Sequence, residues 1–191
     1  MASVKSVTVF CGSGLGSRPA YERDARAFGE QLARRGLTLV YGGGRTGLMG
    51  AVADAVLEQG GRATGVIPRH LVDREVAHNG LTELIVVEDM HQRKARLAAL
   101  GDCFVSLPGG SGTLEEFFEA WTWRRLGLHA KPCALLNTAQ YWDGLITMLE
   151  RMAAERFLTE PDLRELVVES APERLLDRLL GIGGARPPEE R

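Results

Sequence analysis

The sequence predicts a doubly wound α/β fold, with a mostly parallel sheet of about seven strands and helices on both faces. Three observations predict it. Short apolar, β-branched segments alternate with longer amphipathic segments along the chain, which is typical of strand–helix–strand units. The 191 residues suffice for one domain with a well-buried core. No internal repeat or linker interrupts the alternation, so we expect a single domain over residues 1–180.

Seven segments have the composition of buried strands. They are short, rich in Val, Ile and Leu, and bounded by glycine, proline or polar residues. In chain order they are VKSVTVFC (4–11), LTLVYG (37–42), RATGVIP (62–68), TELIVVE (82–88), DCFVSLP (102–108), KPCALLN (131–137) and LRELVVE (163–169).

Six amphipathic segments between and after these strands predict helices. Pro19 begins the first and Gly36 follows its end, as helix termini favour. Asp89 precedes the third and can cap it. The chain ends in GGARPPEER, whose glycine, proline and charge predict a disordered tail over 181–191. The predicted helices span 19–35, 46–59, 90–100, 113–127, 141–155 and 172–180.

Composition excludes several classes of protein. The net charge of −2, without a basic stripe, argues against a nucleic-acid polymer as partner. No apolar run approaches the roughly 18 residues of a membrane helix, and the N-terminus does not resemble a signal peptide. The three cysteines stand singly on predicted strands, without zinc-ligand spacing. We therefore expect a cytoplasmic protein with buried free thiols, no metal site and no membrane contact.

Three glycine-rich stretches follow predicted strands. They are CGSGLGS (11–17), YGGGRTGLMG (41–50) and LPGGSGT (107–113), after the first, second and fifth strands. Ligands of such sheets bind beyond the carboxyl ends of the strands, where the strand order reverses. In the usual order, 3-2-1-4-5, these three ends flank one crevice. Each stretch alone is also consistent with a tight turn, but their convergence predicts a ligand site.

The ligand indicated by these loops is a mononucleotide. Residues 42–47 match the G-x-G-x-x-G pattern, but the following strand ends in GVIPRH and lacks the acidic residue of a dinucleotide site. No Gly-Lys-Ser/Thr follows any loop, which excludes a Walker A motif. The PGGSGT stretch opens a helix, and bare amides at a helix N-terminus attract a phosphate.

Two acidic residues, Glu115 and Glu116, follow this loop directly. Thr113 and Glu116 have the spacing of a capping box, which is one interpretation of Glu116. The other is catalytic, because hydrolysis of an N-glycosidic bond builds positive charge on the ribose and a fixed carboxylate stabilises it. In DMHQRK (89–94), Arg93 can then pair with Glu116 or with the phosphate.

The motifs YGGGRTGLMG, EVAHNGLTELIVVEDMHQRKA and LPGGSGTLEE together resemble the LONELY GUY family of cytokinin-activating phosphoribohydrolases, over residues 5–180. The resemblance implies a Rossmann-like fold, a homodimer and no cofactor or metal. It implies an N-glycosyl hydrolase that converts AMP or N6-modified AMP, such as isopentenyladenosine monophosphate, to the free base and ribose 5-phosphate. Arg93 and Glu116 would be catalytic. The implied substrate-binding residues are Gly42, Gly43, Gly44, Glu75, Lys94, Gly109, Gly110, Ser111, Gly112, Thr113, Leu114, Glu115 and Thr122.

Several points stay open in the sequence. Gly14 stands where many relatives have serine, and the preferred base is undecided. Similar proteins are often labelled lysine decarboxylases, but only Lys94 of the three lysines lies near the crevice. A non-catalytic nucleotide or molybdenum-cofactor carrier is the alternative function. The helix EEFFEAWTWRRLGLH carries aromatic residues on more than one face, which indicates either a partner subunit or burial within one chain.

Overall fold

Seven strands form one parallel sheet in the order β4-β3-β2-β1-β5-β6-β7. The computed structural model describes residues 4–72 and 77–183. The predicted fold class is confirmed, and every pairing in the sheet is parallel. The strands are β1 (Ser6–Phe10), β2 (Thr38–Tyr41), β3 (Ala63–Pro68), β4 (Glu83–Val87), β5 (Cys103–Ser106), β6 (Cys133–Leu136) and β7 (Val167–Glu169).

The helices cover both faces of this sheet. Each of the six predicted helices is present, with ends shifted by no more than three residues. The last extends to Gly183, so it includes the first three residues of the predicted tail, and residues 184–191 lie outside the described residues. The helices are α1 (Pro19–Arg34), α2 (Gly47–Glu58), α3 (Arg69–Val72), α4 (Met90–Leu100), α5 (Ser111–Arg125), α6 (Asp143–Ala154), α7 (Glu160–Glu165) and α8 (Pro172–Gly183).

The position of β4 differs from the strand order expected from the sequence. β4 pairs with β3 at the edge of the sheet, and β5 takes the place beside β1. Burial agrees with these positions: Glu83 and Val86 of β4 are exposed at the edge, whereas β5 is buried at every residue. A central place for β4 would bury the charged Glu83, which is costly without a partner. The strand order changes direction between β1 and β5, since β2 to β4 extend the sheet on one side of β1 and β5 to β7 on the other. The three glycine-rich loops therefore follow the adjacent strands β2, β1 and β5.

The segment 163–169 was expected to be a strand throughout, and this was wrong for its first half. Residues Glu160–Glu165 form α7, and β7 begins at Val167. Residues before the apolar run start this helix. The Thr159 hydroxyl caps it by accepting a hydrogen bond of 3.2 Å from the Asp162 amide, and Pro161 lies in its first turn.

Two hydrophobic layers hold the helices to the sheet. On one face, α1, α2 and α8 pack against β1 and β5 through residues such as Phe28, Val52 and Leu176. On the other, α4, α5 and α6 pack through Leu97, Trp121 and Leu149 among others. All three cysteines are free and buried, as expected. Among the described residues, no helix has the length and hydrophobicity needed to cross a membrane.

Candidate active site

A cavity of about 290 Å³ opens at the carboxyl ends of β2, β1 and β5. The three glycine-rich loops meet there, as the sequence predicted, and the first turn of α4 closes one side. The lining residues are Val9, Cys11, Gly12, Ser13, Gly42, Met49, Met90, Arg93, Gly110, Ser111, Gly112, Thr113, Glu115 and Glu116.

The N-terminus of α5 faces this cavity without a side-chain cap. Gly110 is the N-cap residue, and no side chain of residues 4–72 or 77–183 bonds to the amides of the first turn. These amides have no partner within the helix, so they and the helix dipole form a site for an anion. The helix begins two residues earlier than predicted, which places Thr113 inside the helix and removes the capping-box interpretation of Glu116.

Arg93 and Glu116 form an ion pair in the wall of the cavity. Arg93 Nη1 lies 3.0 Å from Glu116 Oε1, and their side chains are 12% and 10% exposed. Arg93 Nε also donates to the carbonyl oxygen of Val66 at 3.2 Å. A Cβ atom on Gly42 would collide with the guanidinium group in its present position, so the absence of a side chain at residue 42 leaves room for Arg93. The two residues therefore meet, which is one of the two pairings that the sequence allowed for Arg93.

The Glu116 carboxyl is electrostatically perturbed. Burial raises its pKa above the ordinary value, and the positive charge of Arg93 opposes this shift. Cys11 also lines the cavity, and burial raises the pKa of its thiol far above the ordinary value, so the thiol stays protonated. A buried carboxylate paired with a permanent cation is typical of catalytic sites.

Lys94 binds the two neighbouring carboxylates on the side of α5. Its Nζ lies 2.6 Å from Glu115 Oε1 and 3.1 Å from Glu119 Oε1. These hydrogen bonds raise the pKa of the ammonium group. Lys94 lies outside the cavity lining. Its two ion pairs connect α4 to α5 and partly neutralise the carboxylates near the anion site.

The other expected binding residues divide into two groups. Gly42, Gly110, Ser111, Gly112, Thr113 and Glu115 line the cavity with the catalytic pair. Several others lie outside the lining: Gly43 and Gly44 behind Gly42, Gly109 in the adjoining loop, and Lys94, Leu114 and Thr122 on the helices. Thr122 is exposed, and Glu75 falls outside the described residues.

Sequence reasoning missed part of the lining and correctly assigned one cap. Met49 and Met90 supply apolar surface, and Ser13 supplies a hydroxyl. The glycine pattern around 41–50 pointed to the loop that carries Met49, but a methionine has no spacing signal of its own. Asp89 caps α4 as expected, because its Oδ1 accepts a hydrogen bond from the Gln92 amide at 2.8 Å.

Several known proteins are similar to this chain in sequence. Residues 49–179 match a family model described as possible lysine decarboxylase. The cytokinin riboside 5'-monophosphate phosphoribohydrolase of Rhodococcoides fascians is 54% identical over 165 residues, which cover 86% of this chain and 83% of that protein. The Arabidopsis thaliana enzyme of the same name, LOG5, is 47% identical over 88% of this chain and 73% of its own length.

Solved structures of lower sequence identity share the fold. The molybdenum cofactor binding protein of Rippkaea orientalis superposes with a TM-score of 0.70 at 20% identity, covering 94% of this chain and 97% of that one. The molybdenum cofactor carrier protein of Chlamydomonas reinhardtii gives 0.68 at 23% identity, with coverage of 93% and 99%. At these identities the similarity establishes the fold alone.

Proposed function

Because this chain belongs to the LONELY GUY family of cytokinin riboside 5'-monophosphate phosphoribohydrolases, we propose that it hydrolyses the N-glycosidic bond of adenosine 5'-monophosphates. The substrates are AMP and N6-modified AMP such as isopentenyladenosine monophosphate, and the products are the free base and ribose 5-phosphate. The resemblance in sequence anticipated the family. The observation that carries the proposal is the buried Arg93–Glu116 pair one helical turn from an uncapped helix N-terminus.

The spacing of these groups suits a nucleoside monophosphate. The amides at the start of α5 bind the 5'-phosphate, and Glu116 lies four residues after Gly112 on the same helix, a rise of about 6 Å. Ribose separates phosphate from base in the substrate by a comparable length. The phosphate therefore occupies the loop while the glycosidic carbon lies beside the carboxylate.

Glu116 has two tasks in the reaction. As the bond between C1' and the base breaks, positive charge develops on the ribose, and the carboxylate stabilises it. The carboxylate also accepts a proton from the water whose hydroxyl adds to C1'. The base nitrogen leaves with the electron pair of the broken bond and takes a proton from solvent, and Glu116 then returns its proton to solvent, so one water is consumed. Its raised pKa makes it a better base than an ordinary carboxylate, and Arg93 keeps it ionised and oriented.

The description of the family as possible lysine decarboxylases does not fit the site. Decarboxylation of an amino acid on pyridoxal phosphate needs a lysine that forms a Schiff base. Lys94 is held by two carboxylates outside the cavity. Lys5 and Lys131 precede β1 and β6, so they lie near the amino ends of the strands, opposite the carboxyl ends where the cavity opens. None of the three lysines of the chain lines the cavity.

The test is chromatography of the protein incubated with AMP and with isopentenyladenosine monophosphate, without added metal. Wild type is compared with Glu116→Gln and with Glu119→Gln, a matched change on the same helix outside the cavity. We expect free base from wild type and Glu119→Gln, and a loss of about 10²–10⁴ in kcat for Glu116→Gln. Intact binding without any released base would favour the nucleotide or cofactor carrier instead.

We also expect a cytoplasmic homodimer that packs through α4 and α5. Phe117 and Trp121 of α5 are buried within the chain, but Leu126 and Leu128 just beyond it are each 69% exposed. Leu97 is the one fully buried residue of α4, so most of this helix is accessible to a partner. The exposed side chains of Leu126 and Leu128 suit contact with a second copy, which would also cover the exposed Thr122. Sedimentation equilibrium should give twice the mass of one chain, and a monomer at micromolar concentration would contradict the assignment.

A further inference from the structure

A second cavity of about 350 Å³ adjoins the first and shares Gly12, Ser13 and Gly110 with it. Two tyrosine rings form part of its wall. Tyr21 and Tyr141 pack edge to face, with ring centroids 5.5 Å apart. The Tyr141 hydroxyl donates a hydrogen bond of 2.6 Å to the carbonyl oxygen of Gly109, in the loop that leads to the N-terminus of α5.

We propose that Tyr141 is a positioning residue, which orients the peptide group between Gly109 and Gly110 for binding of the substrate phosphate. In a trans peptide the C=O and N–H bonds point in opposite directions. Tyr141 holds the Gly109 carbonyl on the side of the second cavity. The Gly110 N–H must then point away from Tyr141, toward the cavity that contains Arg93 and Glu116.

The neighbouring peptide groups of this loop are fixed in a similar way. The Pro108 carbonyl accepts from the Gly12 amide at 3.0 Å, and the Gly110 carbonyl accepts from the Leu114 amide at 3.2 Å. Three successive carbonyls are therefore bonded, two of them to backbone amides. Tyr141 supplies the single side-chain donor of the three, at a peptide between two glycines that would otherwise rotate with little resistance.

The backbone before Tyr141 is itself held in an uncommon conformation. Ala139 and Gln140 have φ values of 50° and 63°, in the left-handed region that residues other than glycine rarely adopt. Such strain persists where the surroundings fix it. Arg18 Nη1 donates to the Ala139 carbonyl at 3.2 Å, and the Trp142 amide donates to Asn137 Oδ1 at 2.7 Å. The turn is thus braced on both sides of Tyr141.

This role rests on the proposed function, because it assumes that the phosphate of a nucleotide binds the loop. A fixed Gly110 amide contributes to phosphate binding in the ground state and in the transition state alike. Its loosening should therefore raise KM and leave kcat almost unchanged. Loss of one hydrogen bond from the loop predicts a change of about three- to tenfold.

The experiment compares Tyr141→Phe with Tyr21→Phe, which removes a hydroxyl from the same cavity. The Tyr21 hydroxyl makes no hydrogen bond to any residue within 4–72 or 77–183. Titration calorimetry measures the Kd of ribose 5-phosphate and of adenosine, and kinetics with AMP give KM and kcat. We expect Tyr141→Phe to weaken ribose 5-phosphate binding and to raise KM by this factor, while adenosine binding, kcat and all values of Tyr21→Phe stay close to wild type.

Three other outcomes overturn the role, and a fourth overturns only the proposed function. Equal phosphate affinity of the two variants shows that the Tyr141 hydroxyl does not position the loop, and equal weakening toward ribose 5-phosphate and adenosine shows a general structural effect. A wild type that releases no base from AMP refutes the proposed function alone, since the difference in ribose 5-phosphate affinity remains measurable. A wild type that does not bind ribose 5-phosphate refutes both.

Discussion

Replacement of Arg93 by methionine should destabilise the protein, and the loss should depend on pH. The change removes the positive charge and keeps an unbranched apolar side chain, which is shorter than that of arginine. Arg93 Nη1 and Glu116 Oε1 lie 3.0 Å apart, and both side chains are about nine-tenths buried. At that separation an effective dielectric constant of about 20 gives an attraction of about 5 kcal/mol. Removal of one partner of such a buried pair typically costs about 3–5 kcal/mol.

The sign of the pH dependence follows from the Glu116 carboxyl. Burial already raises its pKa in the folded protein, and Arg93 opposes that rise, so Arg93→Met should raise the pKa further. A folded state that binds its proton more tightly than the unfolded state loses stability as pH increases from the ordinary carboxyl pKa through the raised one. The variant's deficit relative to wild type should therefore be small in acid, where Glu116 is neutral, and full in mild alkali.

Urea denaturation of both proteins at several pH values between about 4 and 9 measures this deficit. The double variant Arg93→Met with Glu116→Gln should recover most of the loss at high pH, because no buried charge remains. The acid limb of kcat/KM for Arg93→Met should also move to higher pH, since the reaction needs the carboxylate. A deficit that is the same at every pH, or a double variant no more stable than Arg93→Met, would refute the electrostatic account of the pair.

Two further predictions concern the loop and the helix that carry these residues. Gly109→Ala should cost about 1–3 kcal/mol of stability and raise KM, because its Cβ would lie 2.8 Å from the Gly12 amide and would collide with Thr113. The Cβ of Gly112→Ala meets no atom within 4 Å outside its own helical turn, among residues 4–72 and 77–183. This variant should therefore gain up to about 1 kcal/mol in α5, and thermal denaturation should separate the two variants. Asp89→Ala removes the cap of α4 and should lower stability by about 1 kcal/mol, or Tm by roughly 2–4 °C, whereas Asp89→Asn should retain most of it.

The alternation of strands and helices made most of the fold predictable, because buried strands and amphipathic helices have distinct periodicities. Two predictions about the fold were wrong: one depended on the pairing of distant strands, and the other on a short capping signal. β4 pairs with β3, and neither the length nor the apolar content of the segment determines that partner. The start of α7 depended on Thr159 and Pro161, whose capping signal was weaker than the apolar run that follows.

The candidate site shows the same division. The convergence of three loops followed from the common edge of a parallel sheet, and the Arg93–Glu116 pair followed from charge complementarity between two helix starts. The partners of Lys94 did not, because the sequence does not reveal which side of α5 the ammonium group reaches. The bond from Tyr141 to Gly109 joins residues 32 positions apart through a strained turn, and no local pattern indicates it.

The two carboxylates that follow the anion loop are separated by the cations that α4 presents to them. Lys94 holds Glu115, which is 54% exposed, together with Glu119 on the next turn, while Arg93 holds Glu116 in the cavity wall. Consecutive residues of α4 thus engage different carboxylates of α5, as the roughly 100° between successive helical positions requires. The charge of Glu115 is neutralised by Lys94, and that of Glu116, on the next residue, lies on another side of α5, about one turn from the start of the helix. In the proposed complex the phosphate would meet the amides and a compensated carboxylate, and the ribose would meet Glu116, whose burial raises its pKa.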